Sequence, residues 1–516
     1  MEQDPGKQLF IDDFFVESMR DVRRVLNQPK KQTVERSLSI PMNCAWEAGS
    51  PRFQRVPYDE KAHRFRLYYT NWIDGRALVC AADSSDGVAW EKPSLGLVEF
   101  DGSTDNNITN CPADELALHW DPHELDASRR WKRVDNKPTG SDEAGNRIWR
   151  AFASADGYDW QQVPEGAHSS QPMLFNFGAP PEGFGGAIDP DAPFVFYSQR
   201  GSGRRTRILG RRDSADFLNW SGLRTVIDQD LDDPPGTEFY SASADLANRS
   251  NGGLRIMMLH TLHTDLDEPY HIQAPDHYWG HEPGGSAIPA RADGIVDSQL
   301  AVSRDTVQWT RWREPFIERG GPGAWDWGML YADAPILHND QLHFFYMAGP
   351  QSHNGRTAYP EEGRYPRPKS WGKGLATLRR DGYVHVEASS FTPGQLTTHR
   401  FQQAAGGDIY VNVDATAGEL RYELLQDTGA PIAGYSVEDC DPIRGDGLNE
   451  ALSWGGRRGW PAVGDDRRTP GLEDLPVREF YMKLRFHLDP GAKLYSLTLD
   501  PPEVAIWGAS VPGRID

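Results

Sequence analysis

Ser84 to Trp90 reads SSDGVAW, and its Ser-x-Asp-x-x-x-Trp skeleton returns as SADGYDW at Ser154, SADFLNW at Ser214 and SRDTVQW at Ser303. A phrase recurring at intervals long enough for a small sheet marks a structural unit. Upstream of each copy stand two strand-like runs in fixed order: RFRLYYT then RALVCAA, RWKRVDN then RIWRAFA, PFVFYSQ then RTRILGR, LRIMML then DSQLAV. Turn-forming stretches such as PYDEKAH, DPHELDASR, DPDAP and ANRSNGG precede the second strands, which suits a hairpin between strands one and two. Each unit is therefore predicted to be an antiparallel meander with the phrase at its outer hairpin.

A fifth unit follows as MLYADAPIL, the turn HND, QLHFFYM and KGLATLRRDGYVHV, with Asp381 in the place of the boxed aspartate and His385 in that of tryptophan. Five meanders predict a five-bladed β-propeller. The boxed Asp is expected to accept bonds from backbone donors of its own turn, and the Trp to pack between neighbouring blades. A motif repeated around a ring cannot converge on one site, so the boxes are read as structural. Sialidase boxes look similar but put five steps between Asp and Trp, against four here.

The chain has 516 residues, a formal net charge of -21, a pI near 5.2 and a mean hydropathy of -0.63. That charge repels phosphate backbones and anionic lipid surfaces, so neither nucleic acid nor membrane is an expected partner. The opening MEQDPGKQLFIDDFF lacks a basic region followed by an apolar one, and no long apolar run follows; a cytoplasmic location is the expectation. Cys44, Cys80, Cys111 and Cys440 are scattered without metal or redox spacing and read as packed thiols.

Residues 1–40 are predicted as an N-terminal strand segment leading into the propeller and supplying a strand that closes the ring. Residues 41–390 are predicted as the five-bladed catalytic propeller. After about residue 390 the blade pattern stops, and DIYVNVDA, ELRYELLQ, REFYMKLRFHL and KLYSLTLD predict a C-terminal β-sandwich over 391–516. Overall the fold class is all-β. In the loop AGYSVEDCDPIRGD, Asp439, Asp441 and Asp446 suggest a cation, but their irregular spacing favours a solvated loop; no metal site is assigned.

The first strand of each blade lines the propeller axis, so polar residues leading into those strands converge on one funnel. The leading segments carry carboxylates at Glu47, Glu238 and Asp326. Such acids around a pocket suit glycoside hydrolysis, one kept protonated for the leaving oxygen and another ionised as base or nucleophile. Trp46, Tyr240, Trp325 and Trp327 stand ready to stack on a sugar ring; an acid beside such aromatics also serves as a backbone cap. Asn106, Asn107, His168 and Gln171 lie at other leading segments, and Asn71, Arg200, His260 and His263 at the exits of second strands, where they would bond hydroxyls. His260 and His263 point to opposite strand faces, which argues against a shared metal. Asp189 and Asp191 fall in a turn and are left out. The stretch TDLDEPYHIQAPDHYWGHEPGG is expected to be a loop over the funnel. No G-x-x-x-x-G-K-[ST], G-x-S-x-G or H-E-x-x-H occurs, and no cofactor is expected.

The phrases QLFIDDFFVES, LGLVEFDGSTDNNI, DPPGTEFY, GAWDWGMLYADAPI and APIAGYSVEDCDPIRGD resemble a group of bacterial proteins similar to glycoside hydrolase family 32. The resemblance spans nearly the whole chain and implies a five-bladed propeller with a C-terminal sandwich. Invertases and levanases, related by that fold, carry W-M-N-D-P-N-G, R-D-P and E-C motifs, none of which is intact here; Trp46-Glu47 occupies the place of the first motif's Trp and Asp. The expectation is an exo-acting glycoside hydrolase on a neutral oligosaccharide or glycoside, a fructo- or arabinofuranoside among the candidates. Glu47 would be nucleophile or base, Glu238 acid, and Asp326 a tuner of that acid or a holder of hydroxyls. A non-catalytic carbohydrate-binding propeller and a propeller-type phosphorylase are the rival readings. The expected partner is a small carbohydrate, and homo-oligomers stay open.

Overall fold

The computed structural model describes residues 6–32, 38, 40, 42–48, 52–112, 117–121, 124–143, 145, 147–169, 182–183, 193–201, 207–246, 251–264, 294–321, 323–350, 352–353, 371–402, 406–460, 481–500 and 505–507. Regular structure among them is β apart from two single turns of 3-10 helix, Ala45–Glu47 and Ala127–Arg129, and no helix is long and apolar enough to cross a membrane.

The repeated runs pair as antiparallel meanders. In the first unit Arg64–Ile73 joins Arg52–Phe53 on one side and Arg76–Ser84 on the other. The second runs Ala117–Trp120, Trp131–Ser141, Arg147–Ser154 and Gln161–Ser169. The third contains Phe194–Gly201, Arg207–Ser214 and Arg224–Ile227. The fourth runs Thr237–Asp245, Arg255–Thr264, Gly294–Ser303 and Thr310–Pro315. In the fifth, Met329–Ala332, Gln341–Gly349 and Gly372–Arg379 are followed by Lys30–Lys31, a strand from the far end of the chain. Strands such as Arg64–Ile73 and Arg255–Thr264 are buried on both faces over most of their length. Both faces are covered because each sheet is stacked between two neighbours, as in propeller-type blades, and polar side chains such as Arg66, Thr70 and Thr261 are buried along with the apolar ones.

The boxes do what their spelling predicts. The Asp86 carboxylate accepts from the backbone N–H of Val88 and Ala89, Asp156 from Tyr158 and Asp159, Asp216 from Leu218 and Asn219, and Asp305 from Val307 and Gln308. Two such bonds hold the Asp86 carboxyl below its ordinary value. The fourth residue of each box turns left-handed, at Gly87, Gly157, Phe217 and Thr306. For Phe217 that costs about 1–2 kcal/mol, offset by burial of its ring against His119 and Trp220. Each boxed Trp seats in a neighbouring unit's cluster: Trp90 by Phe345 of the fifth, Trp160 with Tyr68 of the first, Trp220 with Val134 and Trp149 of the second, Trp309 by Tyr197 of the third. The fifth unit packs on the fourth through Leu330, Phe344 and Tyr346 against Ile256, Met258 and Leu300.

Asp381 behaves differently. It accepts from Lys7 Nζ at 3.2 Å and Ser496 Oγ at 2.9 Å, and His385 lies on Val384–Ala388, which pairs with Val22–Leu26. Arg379 stands where a box would have its serine, so there is no hydroxyl to close the turn, and this aspartate clasps the C-terminal region instead.

That region is a β-sandwich. One sheet orders Val22–Leu26, Val384–Ala388, Lys493–Asp500, Asp408–Asp414 and Asp446–Ala451, with Lys7–Leu9 beside Lys493–Asp500. The other orders Val16–Arg20, Gly394–Thr398, Met482–Leu488, Arg400–Gln402 and Ala505–Trp507, with Leu420–Gln426 beside Met482–Leu488. Phe10, Phe15, Leu396, Val411, Leu424, Trp454, Leu484, Phe486 and Leu497 fill the space between. The N-terminal strands thus pair with this sandwich before the chain reaches the propeller units. Asp441 accepts from Ser453 Oγ and Gly456 N, Asp439 from Ser436, and Asp446 pairs with Arg379; the loop's acids are taken by turns and an ion pair. All four cysteines are free thiols.

Candidate functional site

An antiparallel meander puts the start of its first strand and the turn between its second and third strands at one end, and the box at the other. Glu47, Glu238 and Asp326 therefore belong to the end opposite the boxes. The Ala45–Glu47 turn places Glu47 just ahead of Arg52–Phe53, its side chain wholly buried. Glu47 accepts from Lys92 Nζ at 2.7 Å, Tyr69 Oη at 2.5 Å and Cys44 N at 3.0 Å. Asn107 donates to the same Tyr69 hydroxyl at 2.7 Å and accepts from Trp46 Nε1 at 2.8 Å. One network thus joins the predicted Trp46, Glu47 and Asn107 with Tyr69 and Lys92, which the sequence reading missed. Burial pushes the Tyr69 hydroxyl well above its ordinary value, so it stays a donor to Glu47. On the same strand Asn71 is fully buried, its amide beside the Cys80 thiol. Asn106 serves its own loop, donating to Val98 O and accepting from Ile108 N.

Glu238 is the second residue of Thr237–Asp245 and pairs with Arg207 at 2.5 Å. The Arg207 guanidinium lies 5.4 Å from the ring centre of Tyr240, which meets His353 edge to face at 5.1 Å and Tyr331 at 5.9 Å. Tyr331 in turn touches Trp371, so Tyr240 opens an aromatic wall running into the fifth unit.

Asp326 sits on the turn before Met329–Ala332 and pairs with Lys31 at 2.5 Å. Trp325 stacks on Tyr346 at an 18° interplanar angle, which makes it a packed residue of the fourth and fifth units. The Trp327 carbonyl accepts from Arg319 Nη1. Burial pushes the Arg319 guanidinium below its ordinary value, against the pull of Asp297 and Asp326.

His260 is buried, bonded through Nδ1 to Ser241 and through Nε2 to the Ala332 carbonyl at 2.8 Å. Burial pushes its ring down to about 4. It is a seam between units, with both nitrogens taken by protein. His263 pairs with Asp297 at 2.8 Å. His168 meets the Glu165 carbonyl at 2.7 Å and Asp142 at 3.4 Å. Gln171, the Arg200 side chain, Asp189, Asp191 and the stretch from Thr264 onward through Gly285, apart from Thr264 itself, lie outside the described residues.

The three carboxylates thus share a pattern: each is buried and held by its own cation, Lys92, Arg207 or Lys31. None of these cations carries a local sequence signal, because each is drawn in by tertiary pairing. Among the described residues no group of three His, Cys, Asp or Glu could hold a metal ion.

No family model matches the chain, and no curated protein matches it. Among solved structures it is similar to a glycosyl hydrolase from Bacteroides ovatus, at 12% identity and a TM-score of 0.38 over 69% of this chain and 97% of the other. It is also similar to a β-1,2-mannobiose phosphorylase from Listeria innocua, at 10% identity and 0.34 over 73% and 96%. A thermostable family-43 glycoside hydrolase is similar at 13% and 0.34 over 64% and 88%. Family 32 specifically is not shown by these likenesses. At such TM-scores they carry no argument about reaction or substrate, and the chemistry rests on the chain's own residues.

Proposed function

We propose that the chain is a glycoside hydrolase acting exo-wise on a neutral oligosaccharide or glycoside, a fructo- or arabinofuranoside among the candidates, with Glu47, Glu238 and Asp326 as its carboxylates. The observation that carries this reading is the repeated arrangement at the unit ends away from the boxes: a buried acid with a cation on it and aromatic rings beside it. Carboxylates held in this way favour an accepting role, as base, as nucleophile or toward ring hydroxyls. An acid role for Glu238 requires Arg207 to leave it when substrate binds. We further propose that the five meander units close as five blades, with Lys30–Lys31 completing the fifth.

The test is release of sugar from a panel of fructosides, arabinofuranosides and galactosides by the wild type, Glu47→Gln and Glu238→Gln. Loss of about 10²-fold or more in kcat in either variant supports the assignment, and full turnover in both rejects it. The cations on the carboxylates favour one second reading, a phosphorylase in which Lys92 and Arg207 turn to phosphate. Cleavage that requires added phosphate separates it from hydrolysis.

A further inference from the structure

We propose that Asp333 and Lys373 form the floor of the proposed sugar site, where they bind a hydroxyl of the terminal sugar and decide which sugars are accepted; the inference rests on the glycosidase reading and deepens it. Lys373 Nζ lies 2.5 Å from Asp333 Oδ2. Asp333 directly follows the strand Met329–Ala332, and its N–H still bonds the Phe345 carbonyl at 2.7 Å, so the pairing carries through it. Tyr331 is opposite Met347, and Met347 opposite Lys373. Residues opposite one another across strands share a face, as do residues two apart along one strand. Met329, Tyr331, Asp333, Met347 and Lys373 therefore stand on one face of the fifth unit.

Glu238 belongs to the same face. It is opposite Leu262, Leu262 is opposite Val296, and Val296 is beside Met329. Leu262, Val296, Met329, Tyr240 and Tyr331 form one cluster. The extra residue of Thr237–Asp245 falls at Tyr240, between Phe239 opposite Thr261 and Ser241 opposite His260. Such a bulge re-aims its side chain, here onto Tyr331 at 5.9 Å. Glu238 is two residues before Tyr240 and Asp333 two after Tyr331, so the acid and the floor lie to either side of the aromatic wall on which a sugar ring can stack. On the first unit's side, Leu375, two residues beyond Lys373, packs in one cluster with Tyr69, the donor to Glu47. The pair thus lies between the units that carry Glu47 and Glu238.

Burial divides the pair unequally: the Lys373 side chain is 2% exposed and that of Asp333 17%. An ammonium has three donors and a carboxylate two accepting oxygens. Among the described residues, however, Asp333 Oδ2 is the sole acceptor at Lys373 Nζ, and Asp333 Oδ1 accepts nothing. Burial pushes the Lys373 ammonium below its ordinary value, against the pull of Asp333. A buried ion pair is a net cost unless its remaining hydrogen bonds are met. A sugar hydroxyl meets them on both sides, its oxygen accepting from Lys373 Nζ and its O–H donating to Asp333 Oδ1. Because the two charges cancel, the group that fits is neutral, and a chain end seated on such a floor explains exo action.

The experiment measures kcat/KM for wild type and Asp333→Asn, as full chains, on the glycoside identified by the panel and on its monodeoxy forms, each lacking one hydroxyl of the terminal sugar. Wild type is expected to lose about 10²-fold or more on one monodeoxy form. Asp333→Asn is expected to lose about 10²-fold on the parent glycoside but only a few-fold on that same form, because the contact it removes is already gone. A residue that merely holds the fold would lower all substrates alike. Equal losses on the parent and every monodeoxy form, or no loss on the parent, overturn the inference and leave the glycosidase reading standing. Should Asp333→Asn unfold the chain by leaving Lys373 unpaired, Asp333→Asn/Lys373→Met removes both charges and carries the same comparison, with the same supporting and overturning results. A wild type that cleaves no glycoside of the panel sinks that reading and the inference with it.

Discussion

The two ends of the meander units are built by different rules. At the box end every bond that closes the turn comes from within a few residues, as when Asp86 accepts from Val88 and Ala89 and Ser84 Oγ accepts from Gly87 N. At the other end the important bonds cross the chain: Glu47 to Lys92, Glu238 to Arg207, Asp326 to Lys31. Local bonding makes a motif that can be spelled; distant bonding makes a buried charge that depends on one partner.

The contrast predicts that a single lost partner is most damaging where the bond is distant. Lys92→Met leaves Glu47 charged in a fully buried place and is expected to cost about 3–5 kcal/mol in urea unfolding. Most of that should return in the double variant Lys92→Met/Glu47→Met; a single-variant loss below about 1 kcal/mol would erase the distinction between the two ends. Between the ends lies His260, bonded across a unit seam, with its ring held near 4 by burial. Because the folded value lies below the ordinary 6.5, the unfolded chain takes the proton first. Its contribution is whole above about pH 6.5 and is lost as the pH falls toward 4, up to about 3 kcal/mol. Urea midpoints measured from pH 7 to 4 should fall less steeply in His260→Gln than in wild type. At the box end, Gly157→Ala forces a left-handed Cβ to within 2.6 Å of the Tyr68 hydroxyl and is expected to cost about 2 kcal/mol. Gly75→Ala, equally left-handed but with nothing within 4 Å, should cost about 1 kcal/mol by the same thermal or urea measurement.

What could be read in the sequence follows the same division. The four boxes, their Trp packing and the meander order were legible because Ser, Asp, the left-handed fourth position and Trp act within one hairpin. Asp381 was read as a fifth box although Arg379 precedes it where serine should stand, and its carboxylate binds Lys7 and Ser496 instead. Residues 1–40 read as a strand segment leading into the propeller, yet within them Val16–Arg20 and Val22–Leu26 part at left-handed Asp21 into opposite sheets of the sandwich, because strand partners are chosen by which apolar face each can share. Of the site, Glu47 and Trp46 were in reach, since both open the first unit; their link to Asn107, read at the leading segment of another unit, was not, because Asn107 folds back on the first unit by bonding Ala81 and Tyr69. Lys92, Arg207, Lys31, Arg319 and Asp297 were not, because a cation or acid at a strand end has no periodicity and gains meaning only from what folds against it.

The pairing of Lys7–Leu9, Val22–Leu26 and Lys30–Lys31 with strands beyond residue 370 also orders events during translation. These segments leave the ribosome long before their partners exist, so neither the sandwich nor the fifth unit can be completed cotranslationally in chain order. Until synthesis is nearly done, the early β segments must be kept from pairing with one another or with another chain, and a cell making this protein has reason to shield them with a chaperone.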